Sequence, residues 1–110
     1  MATYILLMKL TPAGRLQALE NPSSVLSAEN SVNAPDVRLL GLYAVLGPYD
    51  FVGIIEAPHN EEAARFSIKL GAKAGVEIVT MPTIPAMRLE GALLGDAPDL
   101  ETGLTQLPPT

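Results

Sequence analysis

Few side chains in this chain can do chemistry, and they cluster in one stretch. Tyr49 and Asp50 stand side by side after Gly47-Pro48, and His59, the only histidine, follows nine residues after Asp50. A phenol beside a carboxylate can bind or activate a small phenolic or keto compound, with the carboxylate taking a proton. Histidine is the side-chain type whose unperturbed titration falls near neutrality, so His59 is the obvious general base. Each also has a plainer use. Pro48 presets the backbone for a turn, and Asp50 can accept hydrogen bonds from nearby N–H groups. Tyr49 can pack its ring and leave its hydroxyl wet. Turn chemistry is the first reading of Tyr49 and Asp50, and an ordinary loop position is the first reading of His59. Tyr4 and Tyr43 lie among apolar neighbours and read as core or interface residues. The ligand-binding candidates are Tyr49, Asp50, His59 and Tyr43, and no residue is singled out as catalytic. Met8, Met81 and Met87 read as packing. There is no phosphate loop, dinucleotide fingerprint or nucleophile motif, and no cofactor is expected.

Composition narrows the classes further. The chain has 110 residues, enough for one domain. It is 48% hydrophobic and 17% charged, with a mean hydropathy of +0.28. A chain of this size buries only roughly 60–65% of its surface, so some apolar side chains are expected to be buried against another subunit. No cysteine is present, which excludes disulfides and zinc-thiolate sites but leaves the redox compartment open. One histidine cannot build a multi-histidine metal site. Seven basic residues against twelve acidic ones give a net charge of −5, which argues against nucleic acid as a partner. No run reaches the roughly 18–20 apolar residues of a membrane span. The opening MATYILLMKL lacks a basic n-region and a cleavage site, and a soluble cytoplasmic protein is expected.

The elements that must position these residues follow from period and punctuation. Residues 3–10 (TYILLMKL) are nearly all apolar and stop at Thr11-Pro12, which predicts a strand. Thr11 followed by Pro12 reads as a helix cap with proline at the first helical position. The helix should run to Glu20 with Leu16 and Leu19 inward, and Gly14 weakens it by about 1 kcal/mol. Asn21-Pro22 repeats the signal before a second helical piece carrying Val25, Leu26, Ala28 and Val32. Residues 37–46 and 50–57 are apolar runs joined by Gly47-Pro48-Tyr49, which predicts a hairpin. Asn60 caps the next helix, Glu61 and Glu62 suit its first turn, and Gly71 or Gly75 ends it. Residues 76–81 form a last strand, whose continuation through Leu89 is interrupted by Pro82 and Pro85. Residues 1–90 form the domain. Residues 91–110 hold three glycines, three prolines, three acids and no base, and read as a poorly ordered tail.

The order βαββαβ predicts an α+β, ferredoxin-like fold. Right-handed crossovers place the helices on one face of a four-stranded antiparallel sheet, with the first and third strands central. Side chains alternate between faces, and both faces are apolar. Strand one places Tyr4, Leu6, Met8 and Leu10 against Ile5, Leu7 and Lys9. Strand two places Val37, Leu39, Tyr43 and Val45 against Leu40, Leu42, Ala44 and Leu46. An antiparallel sheet with one wet face shows polar alternation. The helices cover one face, and a second copy of the sheet is the economical cover for the other. The expected assembly is a homodimer, a dimeric α+β barrel.

The stretch Gly47-Pro48-Tyr49-Asp50 between two apolar strands resembles the signature of the GYD-domain family. Thr11, Gly14, Asn21-Pro22, residues 55–58 (IEAP), Glu61-Glu62, Leu70-Gly71 and Gly75-Val76 fit in order, so the resemblance covers roughly residues 3–89. The chain departs from the pattern at residues 33–35, where a glycine usually closes the first helix, and at His59, where an acid is common. The resemblance implies the fold and small bacterial or archaeal proteins of unestablished function. A similar hairpin in the effector-binding domains of Lrp/AsnC-type regulators makes ligand binding an analogy.

Three functions follow as expectations. The first is a homodimeric protein holding a small apolar or aromatic molecule in a pocket between sheet and helices, with a regulatory role. The second is a cofactor-independent enzyme of oxygenase, isomerase or cyclase type working through Tyr, Asp and His. The third is an assembly protein docking through its acidic tail.

Overall fold

Strand and helix follow one another where the apolar period changes. In the computed structural model, which describes residues 1–94, they run β1 (Ala2–Leu10), α1 (Pro12–Glu20), α2 (Ser24–Ser31), β2 (Arg38–Ala44), β3 (Phe51–Ala57), α3 (Asn60–Ala74), β4 (Val76–Pro82) and α4 (Ala86–Leu94). The sheet order is β2-β3-β1-β4, with every neighbouring pair antiparallel. β1 and β3 are central and β4 is an edge, the α+β ferredoxin-like plan. The boundary expected at residue 90 falls inside α4, and the tail from residue 95 onward lies outside the described residues.

The core fills one side of the sheet. Tyr4, Leu6 and Met8 of β1 and Ile55 and Ala57 of β3 meet Val25 and Ala28 of α2 and Phe66, Leu70 and Ala74 of α3. A cluster around Thr11 joins this layer. Thr11 Oγ1 accepts from the Gly14 N–H at 3.1 Å and donates to the Gly75 carbonyl at 2.9 Å. Gly75 closes α3 in the left-handed region, φ 68°. A Cβ on Gly14 would stand 2.0 Å from the Gly75 oxygen. The glycine that weakens α1 as a helix therefore lets α1 touch the end of α3.

Four local expectations are corrected. Leu16 and Leu19 point outward, 65% and 80% exposed, because α1 approaches the domain through Gly14 instead. Leu26 of α2 is also exposed, and Ser24 and Glu29 are buried in its place. β2 carries a bulge between Leu39 and Gly41. The extra residue reverses the alternation, so Leu39 and Leu42 both pack on the helix-side core while Tyr43 belongs to the other face. Residues 86–89 turn into α4 rather than continuing β4, with the Pro85 carbonyl accepting from the N–H groups of Arg88 and Leu89.

Candidate functional site

The hairpin places Tyr49 and Asp50 at the end of the sheet. β2 stops at Ala44, and the loop closes by a 3.0 Å bond from the Val45 N–H to the Asp50 carbonyl. The ladder between β1 and β3 ends at Met8 and Phe51. Beyond it the Asp50 N–H donates to the Met8 carbonyl at 2.8 Å. The Asp50 carboxylate accepts from the Leu10 N–H at 2.8 Å. It thereby occupies the side of β1 where β3 no longer supplies a backbone acceptor. Tyr49 is half-buried beside it.

His59 lies elsewhere. It follows β3 at the opposite end from Asp50, and that seven-residue strand spans about 20 Å at roughly 3.3 Å per residue. It occupies the cap position of α3 with its side chain exposed and making no capping bond. Tyr43 stands on the sheet face away from the helices, 58% exposed, opposite Val52 and with its ring over Gly41. The structure keeps Tyr49 and Asp50 together and separates His59 from both. Among the described residues no group of three or more acids and histidines is placed to hold a metal.

A different set of polar groups does converge, between α3 and the β4 edge. The Tyr4 hydroxyl, on a side chain buried in the core, donates to Asn60 Oδ1 at 2.6 Å. Asn60 therefore sits inside α3 as a partner for Tyr4 rather than before it as a cap. Two turns on, Ser67 Oγ lies 2.9 Å from the Ala63 carbonyl and 2.7 Å from Thr80 Oγ1. One serine proton serves the carbonyl, so Thr80 supplies the proton of the second bond and keeps lone pairs free. The Asn60 amide keeps its N–H donors. These groups border a cleft of about 360 Å³, otherwise lined by Ala63, Ala64, Ile68, Ile78 and Pro82. Among the described residues nothing charged lines it. The sequence offered one signal, since a core tyrosine needs a hydroxyl partner.

Glu29 was not legible as a site residue at all. It is 4% exposed, with neither carboxyl oxygen hydrogen-bonded. Burial pushes its pKa up to about 7. The carboxyl lies over Gly53, where a Cβ would come within 3.3 Å of Oε1 and 2.8 Å of Met8 Cε.

Among the described residues the far face of the sheet carries no helix. Ile5 and Leu7 pair with Ile54 and Val52 on one side and with Met81 and Val79 on the other. Tyr43 joins them opposite Val52. Charges stand only at the ends. Arg38 and Glu56 approach to 3.9 Å at one, and Lys9 faces Glu77 at the other. The result is an apolar centre with a polar rim. Among the described residues no helix is long and apolar enough to cross a membrane.

The GYD domain family matches residues 4–93. A Thermus thermophilus protein, named glutamine synthetase and cystathionine beta-lyase binding protein, is 34% identical over 90 residues, which span 81% of this chain and 95% of that one. Among solved structures, TTHA0845 from Thermus thermophilus superposes with a TM-score of 0.55 at 23% identity, over 76% of this chain and 94% of that one. The Mycobacterium tuberculosis leucine response regulatory protein gives 0.57 at 10% identity, over 76% of this chain and 50% of that one. The chain thus spans about half the length of that regulator, and the likeness is one of fold.

Proposed function

We propose, for a chain that belongs to the GYD-domain family, a binding function: it acts as a homodimer that docks on other proteins, in the cytoplasm. The observation that carries this is the 34%-identical Thermus relative, itself of single-domain size and named for binding two enzymes. The sheet supports the dimer. Its open face has the apolar centre and charged rim of a buried contact, and a second copy of the same face would cover it. With that face closed, Leu16, Leu19 and Leu26 on α1 and α2 remain outside. Leu16 and Leu19, three residues apart on α1 and so on one face of it, are the surface on which a partner protein would dock, since grouped exposed apolar side chains mark interaction sites.

A small neutral ligand in the α3–β4 cleft is the second reading, favoured by the free N–H donors of Asn60 and the free lone pairs of Thr80. The enzyme reading has less behind it, because Asp50 is committed to Leu10 and His59 stands at the other end of β3.

The test is titration calorimetry of the purified chain against glutamine synthetase and against cystathionine β-lyase from the same source. Saturable binding of at least one is expected. The Leu16→Asp, Leu19→Asp double variant should lose it at least tenfold while keeping its oligomeric state. Absence of binding to both enzymes would overturn the proposed partners, and unchanged binding by the variant would overturn the proposed surface.

A further inference from the structure

The α4 helix stands clear of its own domain. It has nine residues and none is buried, with Met87, Leu89, Leu93 and Leu94 all exposed. Isolated helices shorter than about 12–15 residues are marginal in water. The residues of α4 are good helix formers apart from Gly91, but nine are too few for propensity alone to hold it, and with no acid in its first turn and no base in its last the helix dipole adds nothing. A helix of this kind persists by packing an apolar stripe against something.

The same chain carries a surface of matching length and polarity. The cleft beside Ser67 continues into a second hollow of about 250 Å³ toward Gly71 and Ala72. Together they form a trough along one side of α3 from Asn60 to Ala72. Its length is about 18 Å at 1.5 Å per residue, against about 13 Å for α4. Small residues at 64, 67, 71 and 72 leave room for a helix to approach closely, and Ile68 at 74% exposure forms the outer wall. Among the described residues no charged side chain lines the trough. On α4, Ala86, Leu89 and Leu93 fall at helical spacing on one uncharged stripe. Glu61 and Arg65, four residues apart on α3, stand on the same outer flank of the trough, and Glu90 borders the stripe of α4. Glu90 of an incoming helix can therefore meet Arg65 on that flank.

We propose that α4 of one copy packs into the α3–β4 trough of a second copy, so that two chains exchange their C-terminal arms. The chain leaves β4 held by two bonds from Thr83, its N–H and its hydroxyl, to the Thr3 carbonyl at 3.0 and 2.9 Å. It then runs outward, and α4 does not return to its own trough. A two-fold exchange makes the contact twice, a low-cost route to a dimer. It uses residues separate from the open sheet face.

The absence of cysteine makes the test clean. One full-length chain carries Ala64→Cys and Ile68→Cys, and a second, of different mass through a tag, carries Leu89→Cys and Leu93→Cys. Two positions on each side remove dependence on a single register. Mixed and oxidised, they should yield a disulfide joining the two masses. The crosslink should persist when both chains also carry Ile54→Asp and Val79→Asp on the sheet face. Two results would overturn the proposal. One is a crosslink formed within a single chain that carries all four cysteines, with none between chains. The other is no crosslink at all, which would assign the trough to a small ligand or another protein. Sedimentation of the uncrosslinked chain reports on the sheet contact separately, so a dimer without a crosslink would reject arm exchange and leave the sheet dimer standing.

Discussion

The two faces of the sheet have nearly the same residue types and opposite fates. On one, Tyr4, Leu6, Met8 and Ile55 are closed in by α2 and α3. On the other, Ile5, Leu7, Val52, Ile54 and Val79 have no helix packed over them among the described residues. Composition does not distinguish them. Topology does, because right-handed crossovers put every helix of the βαββαβ plan on one side. The covered face also tolerates what an open face would not require, a buried carboxyl at Glu29 with no partner and a steric contact between two glycines. The open face holds its charges at the ends, as a surface made to meet another surface does.

The largest effect is expected where the covered face is fastened. Gly14→Ala forces a methyl group against the Gly75 carbonyl and should destabilise the fold by about 3 kcal/mol, the upper range for overpacking, as read by urea denaturation. A loss below about 1 kcal/mol would mean that α1 is not anchored there. Next comes Glu29. Leaving a buried polar group unpaired costs about 1–3 kcal/mol, so Glu29→Met should stabilise by about 1–2 kcal/mol. Glu29 also sets a pH dependence. Its folded pKa of about 7 lies above the ordinary 4.5, so the folded state binds more protons between these values. Stability should therefore fall as pH rises from about 4.5 to 7 and level off above. Glu29→Gln should flatten that slope in denaturation curves collected across the range, and an unchanged slope would assign it to other groups. A smaller loss, about 1 kcal/mol, is expected for Asp50→Ala, which leaves the Leu10 N–H without its acceptor. The same variant sharpens the contrast with catalysis, since amide exchange at Leu10 should speed up. Unchanged exchange there would return Asp50 to the ligand-binding candidates.

The sheet order and the two apolar faces were legible because β1 alternates without interruption from Tyr4 to Lys9. The β2 faces were not, because residues 39–42 (LLGL) are apolar in either register and hide the bulge. Leu16 and Leu19 misled because helical spacing predicts a buried stripe wherever the helix lies flat, and α1 touches the fold at Gly14. Glu29 escaped notice because a glutamate on a short helix is normally solvated, although its place four residues after Val25 and next to Ala28 puts it on the buried side. At the site, Tyr49 and Asp50 are neighbours in the sequence, but the use of the Asp50 carboxylate, a bond from the Leu10 N–H forty residues away, comes only with the fold. The distance of His59 was not legible either, since nine residues of separation along a chain become opposite ends of a strand only once the strand is drawn. Asn60 looked like a cap because asparagine before an acidic turn usually is one, and only the fold brings Tyr4 to it.

Sedimentation equilibrium tests the open-face account most directly. The full chain and a chain ending at Pro85 are compared, each with and without Ile54→Asp and Val79→Asp; the shortened chain removes arm exchange as a source of association. The account predicts a dimer of twice 11.6 kDa for the full chain, a dimer for the shortened chain, and a folded monomer for the shortened chain with both aspartates. A shortened wild-type chain that stays monomeric at micromolar concentration, or a dimer indifferent to two charges at the centre of the face, would contradict it.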